Sequence, residues 1–262
     1  MPPPRRGRRI EKGNAGFLFW RTCEQGTGKR GVAMTEIEKR LGEVRSRIEA
    51  ARARSPYHQA VTLVAVTKFH PYEAMEEAVR CGVTDVGENR VQEMEEKFRM
   101  GTLPVRWHLQ GHLQKNKVKK AVAMADLIQS GDSADLLSEI GRRASAIGKV
   151  QDVLLEFNVS GEASKHGFGP ADLDAAVAAA KAVSGIRVRG LMCMAPNEAP
   201  ELTRPVFRRA RGLWERMKEA FPEGQISILS MGMTNDFDVA VEEGATMVRI
   251  GTAIFGARDY NR

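Results

Sequence analysis

Eight short runs rich in Val, Ile and Leu recur along this chain, each followed by a longer amphipathic stretch. They are 61–67 VTLVAVT, 84–87 TDVG, 105–109 VRWHL, 126–129 DLIQ, 152–158 DVLLEFN, 186–191 IRVRGL, 226–230 ISILS and 246–250 TMVRI. Continuously apolar runs, rather than alternating ones, suit strands buried on both faces, and such strands are parallel and joined by crossover helices. The intervening segments carry helix signals. PYEAMEEAVRCG opens on Pro71 and closes on Gly82, a helix follows Asp132, another runs from Pro170 to Gly185, and Asn235 and Asp236 suit the start of a further one. Eight strand–helix units with no break in composition predict a single (β/α)8 barrel over residues 34–262, with a helix at 34–53 added outside it.

The net charge of +7 does not describe that barrel. Residues 1–33 hold eight Lys and Arg against Glu11 and Glu24, which leaves only +1 for residues 34–262. A global basic field is therefore no guide to function, and a nucleic-acid role would rest on the tail alone. That tail lacks any helical or strand period and is expected to be disordered, or to reflect an upstream start-codon assignment. Its apolar patch AGFLFW is too short to span a bilayer or form a signal-peptide core, so no membrane role is expected. Cys23, Cys81 and Cys193 show neither CxxC spacing nor an even count, which points to a reducing, cytoplasmic setting without disulfides. His108 and His112 are the only close histidine pair, and the glycine at 111 argues against a helix presenting both, so no metal site is expected.

In a barrel of this type chemistry sits at the C-terminal ends of the strands. The residues there look unlike core: Lys68 after the first run, GENR after the second, HLQGH on the third, SGEASKHG after the fifth, MCMAP after the sixth, SMGMTND after the seventh and GTAIFG after the eighth. Ser230 and Gly232 on one side, Gly251 and Thr252 on the other, place glycine and hydroxyl groups where backbone N–H groups can meet an anion. Loops seven and eight are also where barrels most often hold phosphate. Lys68, on its own a candidate for a solvated strand end, becomes in that company an amine among apolar walls, able to act as a neutral nucleophile toward a carbonyl. A lysine facing a phosphate cradle is what a pyridoxal phosphate Schiff base requires.

Six motifs in order, LVAVTKFHP, VGENRVQE, WHLQGHLQKNK, NVSGEASKHG, GLMCMAP and LSMGMTNDFDVAVEEGATMVRIGTAIFGAR, resemble the pyridoxal phosphate homeostasis protein family over about residues 34–258. The resemblance implies a stand-alone fold-type III pyridoxal phosphate barrel similar to the N-terminal domain of alanine racemase. It implies that Lys68 forms the Schiff base with pyridoxal 5'-phosphate. Asn89 and His108 would then line the cofactor, while Ser230, Gly232, Arg249, Gly251 and Thr252 would serve its phosphate side or pyridine nitrogen. Thr234 stands where that family commonly has serine, and Cys193 where threonine or valine is common; Cys193 reads as a small buried residue. The lysine-rich QKNKVKK reads as a solvated helix face.

Two main functions follow from these readings. In the first, the protein binds pyridoxal phosphate and serves its homeostasis, carrying it to apo-enzymes without catalysis. In the second, it is an amino-acid racemase. Racemisation needs an acid–base group on each face of the substrate, and Lys68 serves only one. None of Tyr57, Tyr72 and Tyr260 matches the opposing tyrosine that alanine racemases take from a C-terminal β domain, so the carrier reading is preferred and a monomer is expected. A nucleic-acid-binding module lacks an aromatic-interleaved platform.

Overall fold

In the computed structural model, which describes residues 34–162 and 165–257, eight parallel strands close into a barrel in sequence order. The strands are β1 (Thr62–Val66), β2 (Asp85–Glu88), β3 (Arg106–Leu109), β4 (Leu127–Gly131), β5 (Gln151–Phe157), β6 (Ile186–Cys193), β7 (Ile228–Ser230) and β8 (Met247–Ile250). Closure is made by β1 against β8, with Leu63 opposite Val248 and Val64 opposite Arg249. Each of the eight apolar runs overlaps a strand, with β2, β4 and β5 reaching one or two residues outside theirs. β6 goes two residues beyond its run because Met192 and Cys193 continue the ladder opposite Glu156 and Phe157. The expectation for residues 1–33 lies outside the described residues.

The helices that follow the strands are α2 (Tyr72–Arg80), α3 (Val91–Met100), α4 (Val118–Met124), α5 (Ala134–Ser145), α6 (Leu173–Lys181), α7 (Pro200–Glu219), α8 (Phe237–Glu242) and α9 (Thr252–Phe255). The larger apolar core lies between this helical ring and the strands. A smaller plug of Val64, Leu127, Leu154, Met192 and Met247 fills the barrel interior. Among the described residues no helix is long and apolar enough to cross a membrane. The lysine-rich stretch is a surface turn at Lys115–Lys117 running into the first turn of α4, with Lys115 paired to Asp135 and Lys120 to Glu95.

The N-terminal helix α1 (Glu36–Arg54) starts at Thr35, whose hydroxyl accepts the Glu38 N–H. It buries Leu41, Val44, Ile48 and Ala51 on one face and packs against α8, α9 and α2. It therefore covers the seam where the last strand meets the first. Just beyond it the Gln59 amide donates to the carbonyls of Val241 and Ala245, tying this segment to the end of α8 and the loop after it. Arg54 pairs with Glu242 on the same seam. Replacing the fully buried Leu41 by Ala removes apolar contact from the seam. It is expected to cost about 2–4 kcal/mol, read as a fall of roughly 5–10 °C in Tm by calorimetry.

Candidate functional site

A cavity of about 490 Å³ opens at the C-terminal ends of the strands. Lys68, Asn89, Arg249, Gly251 and Thr252 all line it, together with His70, Gln110, Thr234 and Asp236. The sequence motifs thus converge on one mouth from β1, β2, β3, β7 and β8. His108, Ser230 and Gly232 do not line it. Gly232 has a φ of 91°, and a Cβ there would come within 2.5 Å of the Ala240 Cβ, so glycine lets this loop turn tightly onto α8. Its carbonyl accepts the Arg249 N–H at 3.0 Å.

His108 and Ser230 instead belong to a chain of hydrogen bonds through the barrel interior. The Arg249 guanidinium donates to Ser230 Oγ at 2.7 Å and to the Cys193 carbonyl at 2.9 Å. Ser230 Oγ donates to Gln129 Oε1 at 2.7 Å, and Gln129 Nε2 meets His108 Nδ1 at 3.0 Å. His108 Nε2 then meets Asp85 Oδ1 at 2.9 Å. With the His108 proton assigned to Nε2 by this network, every donor points the same way, from the cation at the cavity to the carboxylate at the far end. Burial works against the charge on Asp85, but hydrogen bonds from His108 and Thr84, with Arg106 nearby, hold its pKa below the usual carboxylate range.

Arg249 is only 4% exposed, and among the described residues no carboxylate lies within ion-pair distance of it. The nearest negative groups act from further away. Glu156 is pushed up to about 7, by burial first and by the charge of Asp132 second, with Arg249 opposing. Asp236 is raised by burial, although its carboxylate accepts the Met233 N–H at 2.6 Å. A second unsatisfied group faces the same space: the buried Gln110 amide has no partner on Nε2 or Oε1. Cys193, fully buried, has its thiol pushed up to about 12, which makes it packing rather than a nucleophile.

The backbone on both sides of Lys68 is pinned from below. Buried Lys97 on α3 donates to the Thr67 carbonyl at 2.6 Å, to Glu88 Oε1 at 2.7 Å and to Glu93 Oε1 at 2.9 Å. Glu93 in turn accepts the Phe69 N–H at 2.6 Å, and Thr67 Oγ1 donates to Glu88. Phe69 sits at φ 63°, a left-handed conformation that a non-glycine residue adopts only where its surroundings hold it. Burial, with Glu93 adding to it, raises the Glu88 pKa to about 7 against the pull of Lys97. The sequence reading missed Gln110, Asp236 and this Lys97 cluster. The Glu93–Lys97 spacing of four was a visible signal of an ion pair, but not of a buried one.

The alanine racemase N-terminal domain model matches residues 40–259. The pyridoxal phosphate homeostasis protein of Aquifex aeolicus is 41% identical over 85% of this chain and 98% of its own length. This chain belongs to the pyridoxal phosphate homeostasis protein family. The structure of the Synechococcus elongatus protein PipY without PLP aligns with a TM-score of 0.76 at 36% identity, covering 84% of this chain and all of PipY. PipY with PLP bound aligns with a TM-score of 0.73 at 35% identity, over 84% of this chain and all of that one. Members of the family thus share the barrel, and alanine racemase of Clostridium difficile shares the fold at 15% identity, with a TM-score of 0.64 over 84% of this chain and 57% of its own.

The donor set of this family member suits a phosphorylated aldehyde. It offers one amine, one buried cation without a counter-charge and one amide without a partner around a single cavity. Two expectations test the electrostatics. Lys97→Met leaves the buried Glu88 and the part-buried Glu93 uncompensated and should cost about 3–5 kcal/mol in denaturant unfolding, with Glu88→Gln added to it recovering part of the loss. Because the Glu156 pKa is raised on folding, the stability it contributes is present at low pH and is lost as pH rises toward about 7. Relative to Glu156→Gln, the parent protein should lose on the order of 1–3 kcal/mol between about pH 5 and 7.

Proposed function

We propose that this chain binds pyridoxal 5'-phosphate in the barrel-mouth cavity and serves its homeostasis by holding the cofactor and handing it to apo-enzymes, without transforming amino acids. The observation that carries this reading is Arg249: a buried guanidinium at the cavity wall whose hydrogen-bond acceptors are both neutral, so that an incoming anion supplies the missing charge. The relatives' names and the PLP-bound PipY structure support the same ligand.

Pyridoxal phosphate supplies an aldehyde that condenses with a primary amine and releases water. Lys68 is the amine, held at the cavity by a backbone that Lys97 and Glu93 fix on either side. Arg249, Gly251 and Thr252 take the anionic side. Ser230 and His108 act behind Arg249 by orienting it, and Gly232 shapes the loop beside it. Asn89 and Gln110 offer amides to the ring substituents. Of the two tyrosines among the described residues, Tyr57 and Tyr72, neither lines the cavity, so neither supplies there the tyrosine that racemisation takes as its second acid–base group. We take the protein to act as a cytoplasmic monomer.

Mixed with pyridoxal phosphate, the protein should gain visible absorption that Lys68→Ala does not develop at the same position, and pyridoxal lacking the phosphate should bind much more weakly. An unchanged spectrum in the variant, or equal affinity for the two vitamers, would overturn the site. Polarimetry with L-alanine should show no turnover; robust racemisation would replace the carrier reading with an enzymatic one.

A further inference from the structure

We infer that His112, Asp132 and His166 form a binding site for one divalent transition-metal ion of the zinc or nickel type. The three residues follow β3, β4 and β5 in turn, so the barrel brings together at its rim what the chain keeps in three separate loops. His112 Nδ1 lies 2.8 Å from Asp132 Oδ2, and the His112 and His166 rings stack with centroids 3.8 Å apart at an interplanar angle of 13°. One ligand atom from each residue falls within 4.8 Å of the other two. The expectation of no metal site rested on the pair His108 and His112. His108 turns into the barrel toward Asp85 and Gln129, and the partners of His112 come from later in the chain.

The supports behind these side chains are those a metal site needs. The second carboxylate oxygen of Asp132 accepts from Ser133 Oγ at 3.0 Å, which fixes the group while leaving Oδ2 directed at the imidazole. Its side chain is 7% exposed, against 44% for His112, so a fixed carboxylate carries an open outer face where water can complete the coordination. The loop bearing His112 is seated closely: a Cβ on Gly111 would come within 2.9 Å of the Asn89 Cα, so only glycine allows the approach. Neighbouring cations are already compensated, Lys165 by Glu162 and Lys115 by Asp135.

Two imidazole nitrogens and one carboxylate oxygen favour zinc, nickel or copper over magnesium or calcium, which prefer all-oxygen shells. Zinc bonds of about 2.0–2.2 Å place the ligand atoms roughly 3.4 Å apart, so the His112–Asp132 pair opens from 2.8 Å and His166 adjusts within the 4.8 Å span, shifts that rotation of two exposed imidazoles supplies. The ion takes the place of the hydrogen bond between His112 Nδ1 and Asp132 Oδ2, the neutral imidazole then carrying its one ring proton on Nε2, so that no net proton and no electron is transferred.

The full chain, dialysed against a chelator and then titrated calorimetrically with Zn²⁺ and with Ni²⁺, should take up one equivalent of each. His112→Gln, His166→Ala and Asp132→Asn should each weaken binding at least ~10-fold, while His58→Asn and Cys23→Ser should leave it unchanged. Circular dichroism confirms that each variant is folded, and Co²⁺ absorption bands present in the parent should vanish in His112→Gln/His166→Ala. Absence of stoichiometric uptake, or undiminished uptake by that folded double variant, would overturn the site and leave His112 as a hydrogen-bonded imidazole on which His166 packs.

Discussion

Arg249 carries a full positive charge into the middle of a barrel, and both of its hydrogen bonds there end on neutral oxygens. An ion taken out of water costs several kcal/mol unless its surroundings answer it. Here the answer inside the protein is a row of aligned dipoles: Ser230, Gln129 and His108 each accept from one side and donate to the other, ending at Asp85. The row explains why polar side chains occupy the interior at these positions, since any apolar replacement would leave a neighbour unsatisfied. It also leaves the cation's remaining field directed at the cavity.

The amine, which follows the neighbouring strand β1, is placed by different means. Lys68 stands between two residues whose main-chain groups are held by the buried Lys97–Glu93 pair, and the next residue adopts a left-handed turn. The guanidinium is therefore organised by side-chain dipoles within the strands, and the amine by an ion cluster gripping a loop. Nothing in this arrangement needs a mobile lid to bring the amine and the guanidinium to the same space.

The barrel was legible because parallel strands buried on both faces must be continuously apolar, and eight such runs survive in the sequence as local composition. Lys68, Asn89, Arg249, Gly251 and Thr252 were legible for a related reason, since strand ends in a barrel have a known side. The polar row was not. Gln129 reads as the ragged end of DLIQ, and its significance lies in Ser230, across the barrel from it. Lys97 likewise looks like an ordinary surface lysine of an amphipathic helix, because only the fold reveals that its helix turns it inward. Side chains that act through partners from distant strands leave no local trace.

The seam covered by α1 imposes an order on folding. The first strand has one of its two lateral partners in the last one, and the helix before it rests largely on the final two helices, so neither can finish its contacts until nearly the whole chain is available. Bringing such distant segments together carries a loop-closure entropy that local helix formation does not, and topologies dominated by such contacts fold slowly. During synthesis Leu41, Val44 and Ile48 leave the ribosome before any of the strands and wait for the last helices to be buried. The apolar face of that opening helix is the stretch for which a nascent chain of this protein most needs protection from aggregation.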